Sequence, residues 1–283
     1  MALENRLVME HSQDDVSIWL GIEDGLETGM AILRPSPWES EQLGFPCAIL
    51  ELHMQEGDVS TRMATASLLI HEAVSGCRMA GVRFLTTKVL SDRFPIIHSL
   101  EDAGFRLMDT EMLLLAKHPS ESLIEIPGVR FELRNQELVD GIEKIESLFS
   151  MNRIYSDSRI ADSEAKALWQ RSIIDSCKGY ADEYLLANSD QGPLGIITFK
   201  YDTSLQEFCD QKICSFFRIG SRKGQKHIGL EVAMMSQGIR MAEKKAAHII
   251  VETQSRNAAA LKLCQDSGFE IIDSRFSFHL WLS

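Results

Sequence analysis

From Phe45 onward, short apolar runs alternate with stretches whose apolar residues recur at helical spacing. Phe45-Pro46-Cys47-Ala48-Ile49-Leu50-Glu51-Leu52 reads as a strand, and Thr61 to Ala80 sets Met63, Leu68, Leu69, Ala73, Val74 and Cys77 in a helical pattern. Gly81 to Thr87 is a second strand, Phe94 to Ala103 a short helix, and Gly104-Phe105 opens the next run. Residues Met1 to Leu33 are acidic and weakly periodic, with apolar islands at Ser17–Leu20 and Ala31–Leu33, so no element is assigned there.

The order returns later in the chain. Leu115 to Pro127 reads as a linker, after which Val129–Leu133 is a strand, Gln136–Phe149 a helix, Met151–Arg159 a polar turn-rich segment and Ala165–Asp175 another helix. Strands follow at Ala181–Asn188, Leu194–Tyr201 and Lys212–Ile219, then an amphipathic helix running to Lys245, a strand around Val251–Gln254 and a helix from Ala260. Laying Gly104-Phe105 over Gly268-Phe269 also sets Leu107 over Ile271, Asp109 over Asp273 and Met112 over Phe276 without a gap. That agreement predicts a duplicated half-domain. The expected division is residues 1–117, a linker at 118–127, and 128–283.

Between the strand ending at Ile219 and the helix begun by Ile228, Val232, Met235, Ile239 and Ala242 lies Arg222-Lys223-Gly224-Gln225-Lys226-His227-Ile228-Gly229. Unpaired N–H groups at a helix start, with cations beside them, favour a phosphate or pyrophosphate. Taken alone, the turn suits a solvated loop equally well. The first copy carries Glu56-Gly57-Asp58 at the matching place, which would repel the anion that the second attracts.

Net charge changes the picture for partners. At −12, the chain is poorly suited to nucleic acid or an anionic membrane surface, and no apolar run approaches the ~20 residues that span a bilayer, so a cytoplasmic protein is expected. Six cysteines without CxxC spacing suit free thiols in a reducing compartment, and no metal site is expected.

Asn257-x-x-Ala260-x-x-x-Cys264-x-x-x-Gly268-Phe269, set behind the basic turn, resembles the cofactor half of the GCN5-related N-acetyltransferases (GNAT). The resemblance implies an α/β (α+β) fold with a mixed central sheet flanked by helices, here with an N-terminal degenerate GNAT-like half. It implies acetyl-CoA as co-substrate, a small primary amine as acceptor and acetyl transfer between them. Pro37–Phe45, Arg153–Ile160 and Val251–Gln254 further resemble the dTDP-fucosamine N-acetyltransferase branch, whose acceptor is a nucleotide-linked amino sugar.

In that family, one strand splays from its neighbour and the pantetheine lies in the gap as an added strand. The likeness places the parting between Phe216–Ile219 and Gly195–Tyr201. It assigns cofactor contact to Phe217, Arg218, Ile219, Lys223, Gly224, Gln225, Lys226, His227, Ile228, Gly229, Asn257 and Cys264. Phe217 equally suits core packing, and Asn257 a helix cap. His227 stands where the loop's first glycine is usual, Gly224 where Arg or Gln is, and Cys264 where a tyrosine protonates the departing thiolate. Cys264 is therefore the candidate acid. The acceptor is expected at Arg153, Tyr155, Asp157 and Arg159, although Asp157-Ser158-Arg159 also fits a capping turn. A non-catalytic acyl-CoA-binding module is the alternative.

Overall fold

Two hairpins that the periodicity left unassigned open the chain. The computed structural model describes residues 6–11, 16–117, 124–147, 152–204, 211–222 and 229–282. β1 (Arg6–His11), β2 (Ser17–Glu23) and β3 (Leu26–Pro35) pair antiparallel in sequence order. Asp24 (φ 49°) and Gly25 (φ 80°) form the β2–β3 turn, both in the left-handed region that an Asp-Gly hairpin demands. Alternation buries Trp19, Ala31 and Leu33, but the opposite face carries Ile18, Leu20, Ile22, Met30 and Ile32, so the sequence shows no apolar–polar alternation there.

The chain divides into two compact units, residues 1–109 with 275–283 and residues 110–274. The expected boundary left residues 110–117 with the first half and 275–283 with the second. The division falls inside β6 (Arg106–Ala116) and inside β13 (Phe269–Trp281), so the first unit draws the end of β13 from a distant part of the sequence while the second is continuous.

In the first unit, β3 pairs antiparallel with β4 (Cys47–Met54), β4 runs parallel to β5 (Phe84–Leu90), and residues 275–281 of β13 pair antiparallel with β5. Helix α1 (Pro37–Leu43) precedes β4, with Pro37 at its first turn and Gly44 in the left-handed region at its end. Helices α2 (Val59–Met79) and α3 (Phe94–Asp102) supply Leu69, Ile70, Ala73 and Leu100 to a core that includes Leu50, Leu85 and Phe278. Asp58 caps α2, its carboxylate accepting the Thr61 N–H at 3.0 Å.

The second unit repeats this order with additions. Its sheet runs β6 (from Thr110), β12 (His248–Gln254), β11 (Ile213–Arg222), β10 (Gly192–Asp202), β9 (Glu183–Ser189), β7 (Arg130–Arg134). On one face, α6 (Leu230–Ala242) and α7 (Ala258–Asp266) pack Met234, Met235, Ile239 and Cys264 against Ile197, Phe199, Phe216 and Val251. On the other, α5 (Asp162–Asp175) packs Trp169 and Ile173 against Tyr184, Leu186 and Ile196. Leu115 and Ala116 belong to β6 rather than to a linker, with Leu115 paired to Ile250. As in the first unit, the strands flanking the first long helix run parallel, and Gly104 (φ 86°) and Gly268 (φ 88°) make matching left-handed turns after α3 and α7.

One expected helix is absent. Gln136–Phe149 contains positive φ at Gln136 (48°) and Gly141 (93°), then a single 3-10 turn at Ile142–Lys144 and a strand, β8 (Ile145–Ser147). A single 3-10 turn is enough to bury Ile142 and Ile145, each 1% exposed, while Leu138 is 47% exposed. The backbone of Ile145–Ser147 then finds its partners on β11, opposite Arg222, Ser221 and Gly220.

That strand depends on Gly220. A Cβ there would lie 2.6 Å from the Glu146 carbonyl oxygen and 2.7 Å from Ile145 Cγ2. We expect Gly220→Ala to lower the unfolding free energy in urea by about 1–3 kcal/mol, the usual cost of overpacking. An unchanged urea midpoint would mean that β8 yields without cost.

Candidate functional site

β11 is a strand whose two edges are treated differently. Along one edge it pairs with β10 from Ile213↔Asp202 to Ser221↔Gly195. Along the other it pairs with β12 only from Ile213 to Phe216, and with β8 only from Gly220 to Arg222. Phe217, Arg218 and Ile219 therefore have no strand partner on this edge among the described residues. The expected parting of Phe216–Ile219 from Gly195–Tyr201 is overturned: those strands stay paired, and the gap opens between β11 and β12. A strand needs two neighbours to satisfy both rows of N–H and C=O groups, and the bend that frees one row is made elsewhere.

A β-bulge makes it. Thr198 faces Arg218 and Phe199 faces Phe216, leaving Phe217 as the extra residue on β11. The Arg218 N–H is taken up by Thr198 Oγ1 at 2.9 Å. Ile219, like Phe216, returns to the α6 face, where it is 2% exposed. Phe217 and Arg218 turn to the α5 face. There the Phe217 ring lies 5.7 Å from Tyr180, and the Arg218 guanidinium stacks on the Phe217 ring at 3.7 Å. Arg218 Nε donates to Ser172 Oγ on α5 at 2.8 Å, and Nη1 to the Phe217 carbonyl at 2.9 Å. A π-turn at Ser176–Tyr180, possible because Gly179 takes φ 119°, leads from α5 to Tyr180. Burial, offset by Tyr180 and assisted by the nearby charge of Arg153, lowers the Arg218 pKa to about 10, so it stays charged at neutral pH.

The segment expected to hold the acceptor borders this face. Helix α4 (Arg153–Ser156) starts at Asn152, whose side chain accepts the N–H groups of Ile154 and Tyr155. Tyr155 is half-buried, and burial together with Asp162 and Glu146 raises its pKa. Asp157 is buried and accepts the Arg159 N–H at 3.0 Å, the capping turn its sequence allowed, while Arg159 itself is exposed. Arg256, following β12, donates through Nη2 to Ser156 Oγ, which ties α4 to the turn before α7. Asn257 caps α7, accepting the Ala260 N–H at 3.2 Å.

The two duplicated helix starts have diverged. Where Asp58 fills the start of α2 with its own carboxylate, α6 begins at Gly229 (φ 82°) with no side-chain cap. Its first-turn Glu231 is turned to Ser221, whose hydroxyl donates to Oε1 at 3.0 Å. Lys223, Gly224, Gln225, Lys226, His227 and Ile228 lie outside the described residues. A concavity of about 470 Å³ at the opposite end of β10 and β11 is lined by Asp182, Glu183, Tyr201, Lys212, Lys244 and Lys245. Glu183 there is satisfied by Lys245 (2.5 Å) and Tyr201 (3.1 Å), as expected of a structural charge cluster.

Cys264 is fully enclosed in the α6–α7 core, and burial pushes its thiol up to about 12. Sequence reasoning placed this residue by motif. It missed Gln254, whose position next to Asn257 is uninformative but whose side chain is 7% exposed with a buried Oε1 lacking a hydrogen-bond partner. Among the described residues no cluster of His, Cys, Asp or Glu could hold a metal ion, and no helix is long and apolar enough to cross a membrane.

No family model and no curated protein matches the sequence. Solved structures do match in fold. A tandem GNAT protein from the clavulanic acid biosynthesis pathway, solved without AcCoA, superposes with a TM-score of 0.60 at 14% identity, covering 94% of this chain and 82% of its own. A GCN5-related N-acetyltransferase from Sphaerobacter thermophilus gives 0.58 at 12%, covering 93% and 80%. Another from Kribbella flavida gives 0.51 at 12%, covering 97% and 89%. The chain has the GNAT fold, and the tandem neighbour fits its two-half description.

Four buried thiols, Cys77, Cys177, Cys214 and Cys264, are each pushed up to about 12 by burial. The unfolded chain releases these protons from about pH 9, the folded chain only near 12, so the unfolded state binds fewer protons and stability falls as pH rises through that window. Each thiol contributes a slope of up to about 1.4 kcal/mol per pH unit. The urea midpoint is expected to drop between pH 8 and 10, less steeply in Cys264→Ala; equal slopes would show that this thiol is not sealed.

Proposed function

We propose that this protein is an acetyl-CoA-dependent N-acetyltransferase acting on the primary amine of a small molecule. The observation that carries the reading is the interrupted edge of β11. Three consecutive residues, Phe217 to Ile219, have no strand partner in a gap bounded by β12 and β8, and of their backbone groups the Arg218 N–H and the Phe217 carbonyl are already held by side chains. An extended pantetheine with its two amides is a chemical match for such an edge. The α6 start beyond it lacks a side-chain cap, and the sequence leading into it carries Arg222, Lys223, Lys226 and His227, which suits the pyrophosphate. The backbone of Phe217, Arg218 and Ile219, the segment from Lys223 to Gly229, and Asn257 are the parts we assign around the co-substrate.

Alignment does most of the work in this reading. A neutral amine on the α4–α5 side attacks the thioester carbonyl at the gap, the C–S bond breaks, and the ammonium proton passes to the departing thiolate. Arg153, Tyr155, Asp157 and Arg159 line or support the acceptor side. The sequence likeness of Arg153–Ile160 to the dTDP-fucosamine N-acetyltransferases supports a nucleotide-linked amino sugar as the acceptor.

Cys264 favours a second reading, a module that holds acyl-CoA without turning it over, because a sealed thiol stands where the fold family carries a proton donor. We separate the two by assigning Cys264 a packing role. Cys264→Ala is expected to keep both acetyl-CoA affinity and thiol release; retained binding with turnover lost would restore the acid role.

Calorimetric titration with acetyl-CoA tests the main reading. The wild-type protein is expected to bind, and the double variant Gly224→Glu, Lys226→Glu to bind at least about tenfold more weakly, an effect near 1.4 kcal/mol. Absence of heat and of a thermal shift with the wild type would overturn it.

A further inference from the structure

A guanidinium can be held inside a protein at low cost when a carboxylate neutralises it. Arg218 is held without one. Among the described residues no carboxylate lies within ion-pair distance of it, and the groups acting on its charge are Tyr180 and a second cation, Arg153. Its partners are neutral: the Ser172 hydroxyl, the Phe217 carbonyl and the Phe217 ring. The concavity at the far end of the same strands shows the contrast, since lysine and carboxylate meet there directly.

A second observation lies across the gap. Val251 packs in the α6–α7 core opposite Phe216, so alternation along β12 turns Gln254 to the other face, the one that Arg218 occupies after the bulge. Gln254 is more than nine-tenths buried, and its Oε1 has no hydrogen-bond partner. One face of the parted strands thus presents a cation lacking a counter-charge and an acceptor lacking a donor. Arg218 is half-buried and Gln254 buried, and groups of both kinds cost free energy in proportion to burial unless something else completes them.

We propose that the acceptor amine bears an anionic group, a carboxylate or a phosphate, which Arg218 seats while Gln254 Oε1 receives an N–H of the amine. This rests on the acetyltransferase reading and deepens it. The Arg218 side chain becomes a contact of the acceptor, only its backbone being left to acetyl-CoA, and Gln254 becomes a residue that fixes the nucleophile. A planar fork with charge-assisted hydrogen bonds suits either anion.

The test begins without turnover. Inorganic phosphate and acetate are titrated calorimetrically into wild type, Arg218→Gln and Arg218→Lys, each alone and with saturating acetyl-CoA. Saturable binding of at least one anion to the wild type is expected, weaker by about tenfold in Arg218→Gln and partly rescued in Arg218→Lys. Acetyl-CoA affinity is expected to stay within about twofold across the three. Equal anion binding in wild type and Arg218→Gln, or none in the wild type, would overturn the proposal. If the anions bind as expected but acetyl-CoA does not, the acetyltransferase reading falls while the anion site stands.

Thiol release then identifies the source of the anion. Glucosamine is compared with glucosamine 6-phosphate, and tyramine with tyrosine. The charged member of at least one pair is expected to be preferred in kcat/KM, and the preference to vanish in Arg218→Gln. Preference for the neutral member in both pairs would also overturn the proposal. Arg218→Gln is expected to melt no lower than wild type; a drop of several degrees would assign Arg218 to holding α5 on the sheet.

Discussion

A β-strand must satisfy two rows of backbone hydrogen bonds, and the second unit is arranged around one strand that leaves three residues without a strand partner along one edge. β11 stays locked to β10 along its whole length. The freedom is confined to the other edge, where β12 departs after Phe216 and β8 arrives at Gly220. The bulge at Phe217 does two things at once. It bends β11 away from β12, and it reverses the facing of the next residues, so that Arg218 projects toward α5 while Ile219 returns to the core. In a regular strand of the same sequence, Arg218 would instead fall on the apolar face of Phe216, and Ile219 on the α5 face.

The duplicated arrangement shows how one framework separates structure from chemistry. Both units have a parallel pair of strands connected through a helix and both close the next helix with a left-handed glycine. They differ at the helix start. In α2 the Asp58 carboxylate occupies the orphan N–H groups, and those hydrogen bonds hold its pKa below the usual carboxylate range. In α6 the cap is a glycine, which supplies a turn but no oxygen. A helix that caps itself has no need of an external anion, whereas one that does not leaves its N-terminal dipole available.

Long elements with strong periodicity were legible in the sequence: α2, α5, α6 and the strands that flank them. What escaped was set by contacts distant in sequence. The Gln136–Phe149 pattern fits a helix by spacing, yet Gly141 and the demand of β11 for an edge partner make it a turn and a strand. The Asp24-Gly25 dipeptide is a readable hairpin signal, obscured by the acidic, weakly alternating residues around it. The motif ending in Gly268-Phe269 located Asn257 and Cys264 but said nothing of burial, and burial is what separates a capping asparagine and a sealed thiol from reacting groups. No local pattern distinguishes a bulge from an ordinary strand residue, so the side on which the gap opens and the face taken by Arg218 were not legible.

The acidity of the chain sharpens the meaning of that face. With 41 acidic residues against 29 lysines and arginines, a cation has more potential partners than it needs. Elsewhere the fold uses them: Arg134 takes both Glu132 and Glu137, and Lys245 takes Glu183. Exposed pairs of this kind add little to stability, but they form readily wherever geometry allows. At Arg218 the neighbouring positions are instead filled by a serine, a tyrosine, a phenylalanine and another arginine. A half-buried charge surrounded in this way gains little from its protein neighbours, which suits the bound anion proposed for it. The same reasoning applies to the Gln254 carbonyl. Both deficits lie on one face of one gap, and one molecule carrying an anion and an N–H would remove them together.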